Sequence, residues 1–116
     1  MSVQTDMLRE LVERFNARKA IDVARFFTED FRLEDPGAGV IRTGLHGAQR
    51  MMEAVRALAH DGYLEILDMF ECGNRVAVRW SYKGAGASFA MMSIYAFNGE
   101  RIQRDWGILA RAPWAD

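Results

Sequence analysis

Arg75-Val76-Ala77-Val78-Arg79-Trp80-Ser81-Tyr82-Lys83 sends Val76, Val78, Trp80 and Tyr82 to one side of an extended chain and Ala77, Arg79 and Ser81 to the other. A period of two is the mark of a strand with a buried face. The reading extends in both directions from there. Tyr63–Glu71, Ser88–Phe97 and Arg101–Leu109 read as further strands, separated by Cys72-Gly73-Asn74, Gly84-Ala85-Gly86 and Asn98-Gly99. Asn-Gly between apolar runs predicts a two-residue type I′ hairpin, because both residues tolerate positive φ. Residues 63–109 therefore read as an antiparallel meander.

Upstream the period changes. Leu8, Leu11, Val12 and Phe15 recur at i, i+3, i+4 and i+7, which predicts a helix over about 3–18. Asp22 is placed to cap a short second helix that turns Phe26 and Phe27 inward. Phe31, Leu33 and Asp35 alternate with Arg32 and Glu34, a strand that Pro36 ends. A loop rich in glycine (Gly37, Gly39, Gly44) leads to a third helix over about 46–59, with Met51, Met52, Val55 and Leu58 as its apolar face. Helices first and strands after predict an α+β fold: three helices segregated to one face of a curved, mixed, mostly antiparallel sheet. A second apolar sheet face then needs cover. Val78, Trp80, Ile94 and Trp106 are expected to supply it as a homodimer surface.

A length of 116 residues suits a single domain over 1–116. Half of the residues are hydrophobic and 27% are charged, so a core is available and disorder is not expected. A net charge of −1 gives nothing that would hold a polyanion, so nucleic acid is not an expected partner. Apolar runs fall short of the roughly 18–20 residues that cross a bilayer. The polar start (Ser2, Gln4, Thr5, Asp6) has no secretory signal's apolar core, and a cytoplasmic location is expected. Cys72 has no second cysteine to pair with. His46 and His60 stand apart, so neither a metal nor a cofactor is expected.

The order of these elements, with Phe31-Arg32-Leu33-Glu34-Asp35-Pro36-Gly37 after two helices, Arg42 to Gly44, and Phe97-Asn98-Gly99 before the last strand, resembles the nuclear transport factor two-like superfamily from about Leu8 to Leu109. Within it the segments look most like ketosteroid isomerases and SnoaL-like polyketide cyclases. The resemblance implies a cone enclosing a pocket for a small apolar molecule. It also implies Asp35 as the general acid/base, at the place of the isomerase's base. The isomerase's oxyanion pair, a tyrosine and a protonated aspartate, has Leu11 and Ser93 at the matching places. The limonene epoxide hydrolase branch uses an aspartate, arginine, aspartate set. Arg79 and Asp105 keep two of those positions, and Ser81 stands at the third.

A carboxylate in a dry pocket removes a carbon-bound proton when donors await the enolate oxygen. The expected catalytic set is therefore Asp35, Arg79 holding an oxygen, Asp105 orienting Arg79, and Tyr95 donating a hydrogen bond. Leu11, Phe15, Phe31, Leu33, Met69, Phe89, Met91 and Ser93 are expected as pocket wall. Each polar residue also has a plainer reading. Asp35 suits a turn before Pro36, Arg79 and Asp105 a cross-strand ion pair, and His46 a helix start. The function expected is an isomerase, cyclase or hydratase acting on a carbonyl- or epoxide-bearing substrate. The alternative is a non-catalytic binding or dimerisation module of the same fold.

Overall fold

Ser2 accepts the Thr5 backbone N–H at 3.1 Å and so starts helix α1 (Val3–Asn16), whose buried stripe is Leu8, Val12 and Phe15. Helix α2 (Val23–Phe26) is a single turn. Asp22 occupies its cap position without the expected side-chain bond, and the fully buried Phe26 anchors the turn instead. Strand β1 (Phe27–Asp35) opens four residues earlier than the alternation suggests, with the Phe27 and Phe31 rings edge to face at 4.9 Å. The computed structural model describes residues 2–111. The single-domain reading of 1–116 also takes in Met1 and residues 112–116, which lie outside the described residues.

Strand β2 (Gly39–Thr43) runs where the sequence reads as a glycine-rich loop. It pairs antiparallel with β1 at the edge of the sheet and buries none of its side chains, so no apolar alternation betrays it. Helix α3 (Gly44–Leu58) follows directly, entered through Gly44 at φ +74°. Strands β3 (Tyr63–Cys72), β4 (Arg75–Gly84), β5 (Ala87–Asn98) and β6 (Arg101–Arg111) form the meander. The sheet order is β2-β1-β6-β5-β4-β3, with β1 and β6 parallel and the other neighbours antiparallel. This is the expected α+β arrangement of helices on a mixed sheet. The sheet stays open, so the cone is a one-sided enclosure.

The turns depart from the expected chemistry. Asn98 still pairs with Arg101, leaving Gly99 and Glu100 as the loop, and of the loop residues only Gly99 has positive φ. That is the φ pattern of a type II′ turn, which needs glycine at its first central position only. The type I′ pattern appears instead at Ala85 and Gly86, at φ +49° and +77°.

Val76, Val78, Trp80 and Tyr82 are all buried against the helices, which overturns the expectation that Val78 and Trp80 face a second subunit. A bulge between Ala96 and Phe97 resets β6, so Ile102 faces inward opposite Phe97 while Trp106 and Ile108 face outward. Trp106 lies opposite Ile94 on that outer face. Thus two of the four residues expected on a dimer surface are core, and two are outside.

Candidate functional site

Helices α1 and α3 lie over the inner sheet face, and a two-part cavity lies between them. Its inner chamber, about 80 Å³, is walled by apolar residues of the helices and of β3, β4 and β5, among them Leu11, Val12, Phe15, Met51, Val55 and Met91. Trp80, Ser93, Tyr95 and Asp105 bring polar atoms to it. Its wider mouth, about 330 Å³, opens between β2 and α3 past Leu33, Asp35, Ile41, Arg42 and Leu58. Met51, Val55, Met91, Ser93 and Asp105 border both parts. Two larger depressions, about 680 and 490 Å³, are more open to solvent and lie along the charged face of α1 and beside Arg18, Lys19 and Arg56. Arg56 there stacks on Phe15 and donates to the carbonyls of Gly62 and Phe15, so its charge has a packing role.

Asp105 reaches the chamber because it sits one residue before the outward Trp106 and directly across from Tyr95 on β5. It is 4% exposed, and among the described residues its Oδ1 has no hydrogen-bond partner. Burial pushes its carboxyl up to about 7, with the neighbouring Ser93 hydroxyl pulling weakly the other way. Tyr95 is held well above its ordinary range, first by burial and then by the Asp105 charge. Trp80 Nε1 is also buried and makes no well-aligned hydrogen bond among the described residues, although its N–H and the Ser93 hydroxyl are close enough to Tyr95 to pull its pKa the other way; the Trp80 and Tyr95 rings meet edge to face at 6.2 Å. A buried carboxyl whose pKa is pushed up by burial thus shares the chamber with three donors, the Ser93 and Tyr95 hydroxyls and the Trp80 N–H.

The other expected residues are spread more widely. Asp35 borders the mouth, where its Oδ1 accepts the backbone N–H groups of Gly37 at 2.7 Å and Ala38 at 2.9 Å, the turn role that Pro36 suggests. Arg79 is on the opposite face of the sheet, bound to Asp68 through Nε and Nη2 at 2.8 and 2.6 Å, and cannot reach Asp105 or the cavity. The reason is register: in a strand, a match displaced by one residue moves the side chain to the other face. Leu11, Phe15, Leu33, Met91 and Ser93 line the cavity. Phe31, Met69 and Phe89 instead pack into the core behind it. His46 is exposed at the start of α3.

Sequence reasoning missed Trp80 as a cavity residue, having turned its face toward a partner subunit. Met51, Met52 and Val55, placed on one apolar helix face by their spacing, were likewise not among the expected pocket residues. Among the described residues, no group of three or more His, Cys, Asp or Glu side chains is placed to hold a metal ion, and no helix is long and apolar enough to cross a membrane.

Solved structures with this architecture include wild-type IdmH, a proposed polyketide cyclase of Streptomyces antibioticus. It is 17% identical, with a TM-score of 0.74 and 91% of each chain covered. A proposed polyketide cyclase of Acidithiobacillus ferrooxidans is 18% identical with a TM-score of 0.73, covering 95% of this chain and 89% of its own. AclR, a proposed hydroxylase of Streptomyces galilaeus, is 14% identical with a TM-score of 0.77, covering 96% of this chain and 81% of its own. At these identities the likeness speaks for the fold alone. No curated protein sequence matches the chain. The model of the SnoaL-like domain matches residues 8–105, most of the chain's length, and the chain therefore belongs to the SnoaL-like family.

Proposed function

We propose that this protein is a small-molecule enzyme of the cyclase or isomerase type, acting on an apolar, carbonyl-bearing substrate held in the two-part cavity, with Asp105 moving the proton. The observation that carries the reading is the buried carboxyl of Asp105 among largely apolar walls, one of its oxygens without a partner among the described residues and its pKa pushed up by burial to about 7. A general base works best when its pKa lies near the working pH. Tyr95 and Ser93 stand beside it as donors to a developing enolate oxygen. Membership of the SnoaL-like family accords with a small-molecule reaction of this type.

The observations favour Asp105 over Asp35 for this role, since one oxygen of Asp35 is already spent on the turn. Asp35 and Arg42 are assigned to the mouth, where they meet the part of the substrate that stays near solvent. The test is hydrogen–deuterium exchange at the α-carbons of 2-tetralone, a small apolar ketone, followed by NMR in D2O. Asp105→Asn is expected to lower the protein-catalysed rate on the order of 100-fold or more. Asp35→Asn is expected to change it less than about tenfold. The reverse ranking would return the base to Asp35, and no catalysed exchange in the wild type would favour the binding-module alternative.

The outer sheet face supports a homodimer, as a second part of the proposal. Met92, Ile94 and Ile108 are 60%, 45% and 53% exposed on adjacent strands, and Trp106 lies beside them under Arg75 and Arg104. Contiguous exposed apolar surface of this kind marks contact sites. Sedimentation equilibrium should give twice the chain mass for the wild type and the single mass for Ile94→Asp. A monomeric wild type would end this part of the proposal.

A further inference from the structure

The cavity contains a donor that neither the expected catalytic set nor the proton transfer employs. Trp80 is 4% exposed, and its Nε1 makes no well-aligned hydrogen bond among the described residues, with the Tyr95 hydroxyl near enough to feel it. A buried N–H without a partner is costly, and native proteins seldom keep one without a use. Its position is fixed by the fold. Trp80 is an inward residue of β4, opposite Met91, and its ring is braced edge to face by Tyr95. The Asp105 Oδ1, the other orphaned polar atom of the chamber, lies at the same lining. Apart from the Ser93 and Tyr95 hydroxyls, the remaining chamber wall is apolar, from Leu11 to Met91.

Two polar atoms of opposite character, without well-aligned partners among the described residues and in one small, largely apolar space, define what would satisfy them. The indole offers hydrogen and accepts nothing. The carboxyl takes hydrogen when ionised and gives it when protonated. We propose that Trp80 is a specificity-determining residue: its indole N–H donates to a carbonyl oxygen at the buried end of the ligand, beside the Asp105 carboxyl. The favoured ligand is then a ring-sized apolar molecule that enters carbonyl end first. Its apolar body fills the space between α1, α3 and the sheet. A hydrocarbon of the same shape leaves both polar atoms unpaired and binds more weakly. This inference rests on the cavity being the ligand site, as proposed above.

The experiment compares 2-acetylnaphthalene with 2-ethylnaphthalene, which differ in the carbonyl oxygen and share the ring system. Affinities are measured by calorimetry on the intact wild-type chain and on two variants. Trp80→Phe removes the N–H with some loss of ring volume. Replacement of Trp80 by 3-benzothienylalanine removes it and keeps the bicyclic shape, so that a poorly folded phenylalanine variant does not decide the matter. The wild type is expected to prefer the ketone about 5- to 10-fold, and both variants to lose that preference while holding the hydrocarbon as before. A preference that survives loss of the N–H, or a wild type that binds both probes equally, overturns the role of Trp80 and leaves the cavity as a ligand site. Failure of the wild type to bind either probe removes the cavity reading and this inference together.

Discussion

Asp68 and Asp105 sit on opposite faces of one sheet. On the outer face Asp68 holds the Arg79 guanidinium by two hydrogen bonds in the open. On the inner face Asp105 has apolar walls, a serine hydroxyl nearby and an oxygen without a partner among the described residues. Outside, the charge is matched and solvated, and such pairs contribute little to stability. Inside, the same functional group costs stability in its charged form and gains reactivity from that cost. The chain separates the two environments by single-residue steps, with Arg79 next to Trp80 and Asp105 next to Trp106.

The largest effect should come from damaging the inner face. Tyr82 is fully buried, its hydroxyl donates to the Ala59 carbonyl, and its ring packs on Phe15 at 6.0 Å. Tyr82→Ala is expected to cost about 3–5 kcal/mol in urea unfolding, by the usual cost of emptying an aromatic core site. A loss below 1 kcal/mol would mean that this face is not the core.

The next effect is electrostatic and sharpens the contrast. The Asp105 pKa is raised from 3.8 to about 7 in the folded chain. Between those values the folded state keeps a proton that the unfolded state has released, so stability falls as pH rises through the window. It is fully present below about pH 4 and its loss is complete above about pH 7, with an upper bound of about 4 kcal/mol. Asp105→Asn should remove this slope, so that the difference in unfolding free energy between wild type and variant changes from pH 5 to pH 8. A constant difference would show that Asp105 is ordinarily solvated.

The smallest effect belongs to the outer face. Arg79→Ala should cost less than about 1 kcal/mol and leave ketone exchange unchanged, since Arg79 is remote from the cavity. A large loss of exchange would place Arg79 back in the catalytic set.

Much of this was legible from the period of the sequence. Alternation at Arg75–Lys83 and helical spacing at Leu8–Phe15 specify elements because burial repeats with the backbone. What periodicity does not say is which of two faces is inside. Val76, Val78, Trp80 and Tyr82 were seen as one face, yet whether helices or a second chain cover it depends on contacts distant in sequence. The same ambiguity carried Arg79 into the expected site, where a register one residue away reverses its side. Strand β2 escaped notice because an exposed edge has no apolar pattern to display. The bulge after Ala96, which turns Ile102 inward, likewise has no signature in the local residue types.

Strand β2 also bears on how a molecule gets in and out. It is joined to the sheet along one side only, through β1, while its Ile41 and Arg42 frame the mouth. The inner wall at β5 is tied on both sides, to β4 and β6. Widening the entrance therefore breaks one ladder at an exposed border, the kind of local opening that proteins undergo far more often than global unfolding. On the proposed reading of the cavity, ligand exchange is expected to depend on opening of the five residues of β2 at the rim more than on the stability of the core behind them.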